Sequence, residues 1–168
     1  MKVGFGAARR MLALALMASL FVGLVPATAS ALTERQIRNR LYEKVNTARE
    51  NRGIDKLGRN DKTAYWARDH SKWLANNCTP ETILSCHDNG AEIESELPSD
   101  WSLWGENLAM HDAGKGVVSK LHAALMDSPL HKANILERDF SHMGFGVIKR
   151  DGEVWVTQRF VFRDPRFR

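Results

Sequence analysis

Apolar residues recur at three- and four-residue spacing in three stretches of the chain, and near its end the period changes to two. In "LTERQIRNRLYEKVNTARENRG", Ile37, Leu41, Val45 and Ala48 mark one face of a helix. Thr33 and Gln36 stand before it in capping-box positions, and Gly53 follows it. A second helix is predicted from Asn60 as N-cap, with Ala64, Ala67, Ser71 and Leu74 facing inward. A third carries Val117, Val118, Leu121, Ala124 and Leu125 and ends near Asp127. A short fourth helix should follow in "SPLHKANIL", with Ser128 as N-cap and Pro129 in the first turn, where its missing N–H costs nothing. After Phe140, Asp151-Gly152 between β-rich flanks predicts a hairpin. On its second strand Val154, Val156, Gln158, Phe160 and Phe162 face one way, and Trp155, Thr157, Arg159 and Val161 the other. A strand that is largely apolar on both faces implies a sheet between helical layers.

Residues 76–104 are rich in Asn, Ser, Asp, Pro and Glu and read as an ordered loop. They carry both cysteines of the chain, Cys78 and Cys86. The start of the chain bears on their state. Lys2, Arg9 and Arg10 precede the apolar run "MLALALMASLFVGLV" and the small-residue segment "PATASA", the pattern of a secretory signal removed near Ala31. An uncleaved N-terminal anchor is the other reading of that run. Export to an oxidising compartment favours a Cys78–Cys86 disulfide over two free thiols. The expected organisation is a signal peptide over 1–31 and a single domain over 32–168 that stays in solution outside the cytoplasm, as a monomer.

Loss of the leader also changes the charge. The full chain has 24 Lys+Arg against 20 Asp+Glu; the leader takes three basic residues, leaving 21 against 20. With so little net charge, and no Arg/Lys cluster interleaved with aromatics, nucleic-acid binding has no support. Nothing after the leader is long and apolar enough to span a bilayer.

His131 is the unusual residue of the short helix, because it takes the third helical position, where a capping box would carry Glu or Gln. Together "SCHDNG", "WGENLAM" and "SPLHKANIL", behind "VNTARENRG" and ahead of "FSHMGFGV" and "VTQRF", resemble the CAP superfamily. That superfamily comprises cysteine-rich secretory proteins, antigen 5 and pathogenesis-related class 1 proteins, and the resemblance is closest to its bacterial secreted branch. It implies an α+β fold, an α-β-α sandwich around a small antiparallel sheet, with a cavity lined by histidines and glutamate. Carried over by motif, the cavity residues are His87, Glu106 and His131, with Ser128 beside them. The sequence departs from the bacterial pattern at Leu125, where tryptophan is usual, and at Leu130, where glycine is usual. Many animal and plant members have a second glutamate where Ser128 stands here.

Two imidazoles and a carboxylate are a suitable set for Zn2+ or another divalent cation, and equally for acid/base work. A helix N-terminus should keep His131 neutral, as a ligand or base must be. The structural alternative is that His131 and Glu106 merely brace two helix starts. Asn107 and Asn134 read as braces as well, and Ser128 as a cap in preference to a nucleophile. His70, His111, His122 and His142 carry no site role on this reading, with His142 the reserve candidate. Trp101 and Trp104 are placed to line a groove. The sequence therefore points to a secreted binding module for a lipid, glycan or cell-wall component, with a metal-dependent, peptidase-like hydrolase as the alternative. No catalytic residue is assigned.

Overall fold

The computed structural model describes residues 31–88, 93 and 101–163. The leader expected over 1–31 thus lies, apart from Ala31, outside the described residues, as does much of the 76–104 segment.

α1 (Glu34–Glu50) begins with the predicted capping box: Thr33 Oγ1 accepts from Gln36 N at 3.2 Å, and Thr33 N donates to Gln36 Oε1 at 2.9 Å. Its buried face is the predicted stripe with Tyr42 and Arg49 added. β1 is the two-residue Gly58–Arg59. α2 (Asp61–Asn77) starts from Asn60, whose Oδ1 accepts from Thr63 N at 2.9 Å. A 3-10 turn, Ile83–Ser85, leads to Cys86, which is bonded to Cys78 as expected. β2 (Trp101–Asp112), α3 (Val117–Asp127), α4 (Pro129–Leu136), β3 (His142–Arg150) and β4 (Glu153–Arg163) complete the order. Asp151 and Gly152 both have positive φ, 50° and 84°, as the predicted two-residue hairpin turn demands.

The four strands are ordered β1-β3-β4-β2. β2, β4 and β3 are antiparallel neighbours, and β1 adds a two-residue parallel rung to β3, so the sheet is mixed where a purely antiparallel one was expected. One face packs against α1, α3 and α4 through Leu41, Val45, Leu121, Ile135, Phe145, Val156 and Phe160, all buried. The other receives α2, together with a smaller cluster of Leu74, Cys78, Cys86, Leu108 and Trp155. α2 comes so close because Gly144 and Gly146 lie beneath it. A Cβ on either would strike the α2 backbone at Thr63–Ala64 or Ala67. The result is the predicted three-layer sandwich.

Two expectations need correction. Residues 101–104 are not loop; they begin β2, which the sequence pattern did not reveal. Gly105, Glu106 and Asn107 are all buried in the middle of this strand and break the apolar alternation by which a strand is recognised. Ser128 does precede α4, but its side chain makes no capping hydrogen bond. It is the joint between two helices, and its backbone serves both: its N–H donates to Ala124 O, and its carbonyl accepts from Lys132 N.

Candidate functional site

β2 is an edge strand, and Glu106 and Asn107 at its middle point to opposite faces. On the face toward α1, Asn107 Nδ2 donates to the His131 carbonyl at 3.0 Å and to Gln158 Oε1 at 3.3 Å. Asn134 Nδ2 donates to Asn107 Oδ1 at 2.9 Å and to the Glu106 carbonyl at 3.1 Å. These amides, read as braces from the sequence, fasten α4 to β2. They also explain Gly105, whose absent side chain leaves room for the Asn134 amide and the Phe140 ring.

On the face toward α2, the Glu106 carboxylate is buried and surrounded. Oε1 takes His87 Nδ1 at 3.0 Å and Asp88 N at 3.3 Å. Oε2 takes His70 Nδ1 at 3.1 Å and Arg159 Nε at 3.2 Å. Arg159 stands directly opposite Glu106 on β4 and also bonds Asp88 through Nη2. His70 projects from the buried stripe of α2, and its Nε2 meets the Cys86 carbonyl at 3.0 Å and Asp88 Oδ1 at 3.3 Å. Trp73 stacks over the His70 ring with centroids 5.8 Å apart.

The electrostatics follow from these contacts. Burial alone would raise the Glu106 pKa, but its bonds to His70 and His87, and the charges of His70 and Arg159, bring it down to about 2. As an ionised carboxylate it only accepts, so the His87 Nδ1 that meets Oε1 is a donor. Burial opposes protonation of His70, yet the hydrogen bond and charge of Glu106, with Asp88, raise its pKa above the ordinary histidine value. Both of its nitrogens face oxygen acceptors, the situation of an imidazolium. Two carboxylates are thus matched by one guanidinium and one imidazolium.

His131 is half-buried on the first turn of α4, and its ring lies 6.2 Å from that of His87. Its pKa is lowered, by burial first and by His87 second. The expected neutrality therefore has desolvation as its main cause. The structure brings His87, Glu106 and His131 to one place at the β2 edge, with Glu106 behind His87 and His131 facing it. Ser128 stands at the base of the same helix.

Three residues of the cluster were missed: His70, Asp88 and Arg159. The signals were a histidine on the buried stripe of a helix, an aspartate next to His87 in "CHDNG", and an arginine in a strand covered on both faces. Of the other histidines, His111 is near Asp112 O at the far end of β2, His122 lies on α3, and His142 packs against Trp101 with ring centroids 5.7 Å apart.

Among the described residues, His70, Asp88 and Glu106 offer ligand atoms within 4.8 Å of one another, so this group could hold a metal ion. A cation there would have to displace the Arg159 guanidinium and the His70 protons. The His87 and His131 rings stand beside this group with centroids 6.2 Å apart, and the Glu106 carboxylate meets His87 Nδ1. A separate cleft of about 600 Å³ opens at the hairpin end of the sheet, between α1 and the turn before α3. Leu32, Ile37, Val117 and Val154 form its floor, and Arg40, Lys115 and Lys149 its rim. Val154 lies five residues along β4 from Arg159, a distance of about 16 Å, so this cleft is not the histidine site.

The chain belongs to the CAP (cysteine-rich secretory protein) family, whose model matches residues 42–160. No curated protein matches it. Among solved structures it is similar to an outer surface protein of Borrelia burgdorferi at 18% identity and TM-score 0.66, covering 80% of this chain and 98% of that one. It is also similar to an extracellular protein of Bacillus anthracis containing an SCP domain, at 24% identity and TM-score 0.60, covering 80% of this chain but only 45% of that one. A third likeness is to NaASP2 crystallised with Zn2+, at 11% identity and TM-score 0.55, covering 79% and 82%. These likenesses show the fold. No helix among the described residues is long and apolar enough to cross a membrane.

Proposed function

We propose that this chain, once residues 1–31 are removed, is a secreted single-domain binding module for a lipid, glycan or other cell-wall component. Its ligand-facing groups are His87 and His131, which would also hold a divalent ion such as Zn2+. The observation that carries this reading is the state of Glu106. Its two oxygens already accept four hydrogen bonds, which leaves it little capacity to join His87 and His131 in positioning a metal-bound water, the role that the hydrolase alternative gives it. What the site offers a ligand is a pair of imidazoles; Leu84 and Leu130, close to them in the chain, have exposed apolar side chains. A bound ion would supply a positive charge to attract an anionic or hydroxyl-rich group.

Zinc titration by calorimetry tests the pair. The wild type should bind, and His131→Ala should lose affinity sharply while keeping most of its stability, because the ring is only half-buried and lies outside the apolar core. Equal affinity in both proteins would end the shared site. Native mass spectrometry of the purified protein tests the ligand class: retained lipid or glycan supports a binding module. Metal-dependent turnover of peptide substrates would favour the hydrolase instead.

A further inference from the structure

His87 sits at the solvent edge, yet three groups behind it control the ring and the backbone on either side of it. Glu106 Oε1 holds Nδ1 of the ring and the N–H of Asp88. Arg159 grips the Asp88 side chain, and His70 holds the Cys86 carbonyl. Cys86 is tied in turn to the C-terminal end of α2 by its bond to Cys78. The same two cations occupy Glu106 Oε2, leaving Oε1 as the oxygen that faces His87.

We propose that His70 and Arg159 are positioning residues that fix the tautomer of His87, so that it donates from Nδ1 to Glu106 and turns an unprotonated Nε2 toward the cleft. A neutral histidine in water prefers the proton on Nε2, so this presentation must be imposed by the hydrogen bond at the other nitrogen. It requires a Glu106 side chain locked in one orientation. Arg159 supplies one lock from the register-matched position on β4, and His70 the second from α2, brought within reach by Gly144 and Gly146. The lone pair so presented is what a cation or a hydroxyl donor would meet. The inference therefore deepens the binding role proposed for His87, but its readout involves no ligand.

Nitrogen-15 NMR of histidine-labelled, chelator-treated protein with its disulfide intact, recorded just above neutral pH, reads the tautomer directly. The wild type should show His87 protonated chiefly on Nδ1. His70→Leu and Arg159→Met should lose that signature in favour of Nε2–H. His70→Asn, whose amide N–H can stand where Nδ1–H stood, should restore it relative to His70→Leu. Ser71→Ala removes the neighbouring α2–β4 hydrogen bond without touching Glu106, and should lower stability with the tautomer unchanged. A wild-type His87 carrying its proton on Nε2 overturns the proposal even if a variant fails to fold, as do folded Leu and Met variants with the wild-type signature. Zinc calorimetry separates the two claims: the expected tautomer without zinc binding defeats the metal-holding role alone, and zinc binding with the opposite tautomer defeats this inference alone.

Discussion

Both faces of β4 are buried, and around Phe160 and Arg159 they differ in chemistry. Val154, Val156 and Phe160 enter an apolar core with Leu41, Phe145 and Ile135, where Phe140 and Phe145 both pack against Phe160 with ring centroids 5.7 Å apart. Thr157 and Arg159, one residue out of phase, meet Ser71, Glu106 and Asp88. On the first face stability comes from area removed from water and from close packing, and no single contact is decisive. On the second each polar group has a designated partner, and losing one leaves another buried and uncompensated. The apolar face holds the sandwich together, and the polar face spends its burial on placing the loop that carries His87.

Five measurements sharpen or break that contrast. The largest loss of stability should come from Phe160→Ala, about 3–5 kcal/mol by denaturant unfolding, with zinc affinity retained in the folded fraction. Arg159→Met should cost about 3 kcal/mol, because it leaves two carboxylates short of a cation, and it should also weaken zinc binding. If Phe160→Ala and Arg159→Met disturb the histidine site equally, the division between the faces is wrong.

The polar face should also make stability depend on pH. Glu106 is lowered from 4.5 to about 2, so its contribution is present above pH 4.5 and is lost as the pH falls from there toward 2. The His70 pKa is raised, so its contribution is full below its ordinary value of 6.5 and is lost as pH rises through the higher folded value. The joint contribution of Glu106 and His70 should therefore be greatest between about pH 4.5 and 6.5, while His122 and His131, lowered by burial, should cost stability as pH falls below 6.5. In Arg159→Met the acid-side fall should be smaller and complete at higher pH, since one of the groups holding Glu106 ionised is gone.

Replacing Cys78 and Cys86 together by serine should cost on the order of 2–3 kcal/mol, the expectation for a short loop. It should also loosen His87, seen as broadened resonances there and not at Phe160. Ser71→Ala, the smallest change, should cost about 1–2 kcal/mol by leaving the Thr157 N–H and hydroxyl without their partner. Zinc affinity should be untouched.

The elements of the sandwich were legible wherever periodicity and turn chemistry are local. α1 and its capping box, α2 from Asn60, α3, the Asp151-Gly152 turn and the alternation of β4 all appear where the pattern placed them. β2 did not, because its centre is Gly105-Glu106-Asn107, a run that reads as loop until α4, α2 and β4 supply its partners. In the site, His87, Glu106 and His131 could be found because each lies in a short motif that resembles a family pattern. His70, Asp88 and Arg159 belong to no such motif. His70 has the sequence spacing of a core residue on α2, and only its neighbours across the sheet make it part of the cluster.

Sequence alone thus determined which segments are helix or strand, which faces are apolar, and that two cysteines close a short loop, because these depend on neighbours within one or two turns of chain. Tertiary structure decided the rest. Glu106 is 36 residues from His70 and 53 from Arg159 in the chain, and its ionisation, its orientation and the proton on His87 are set by those two groups. Their approach depends on a helix lying directly on two glycines, and hydrogen bonds between such distant residues exist only once the layers are stacked.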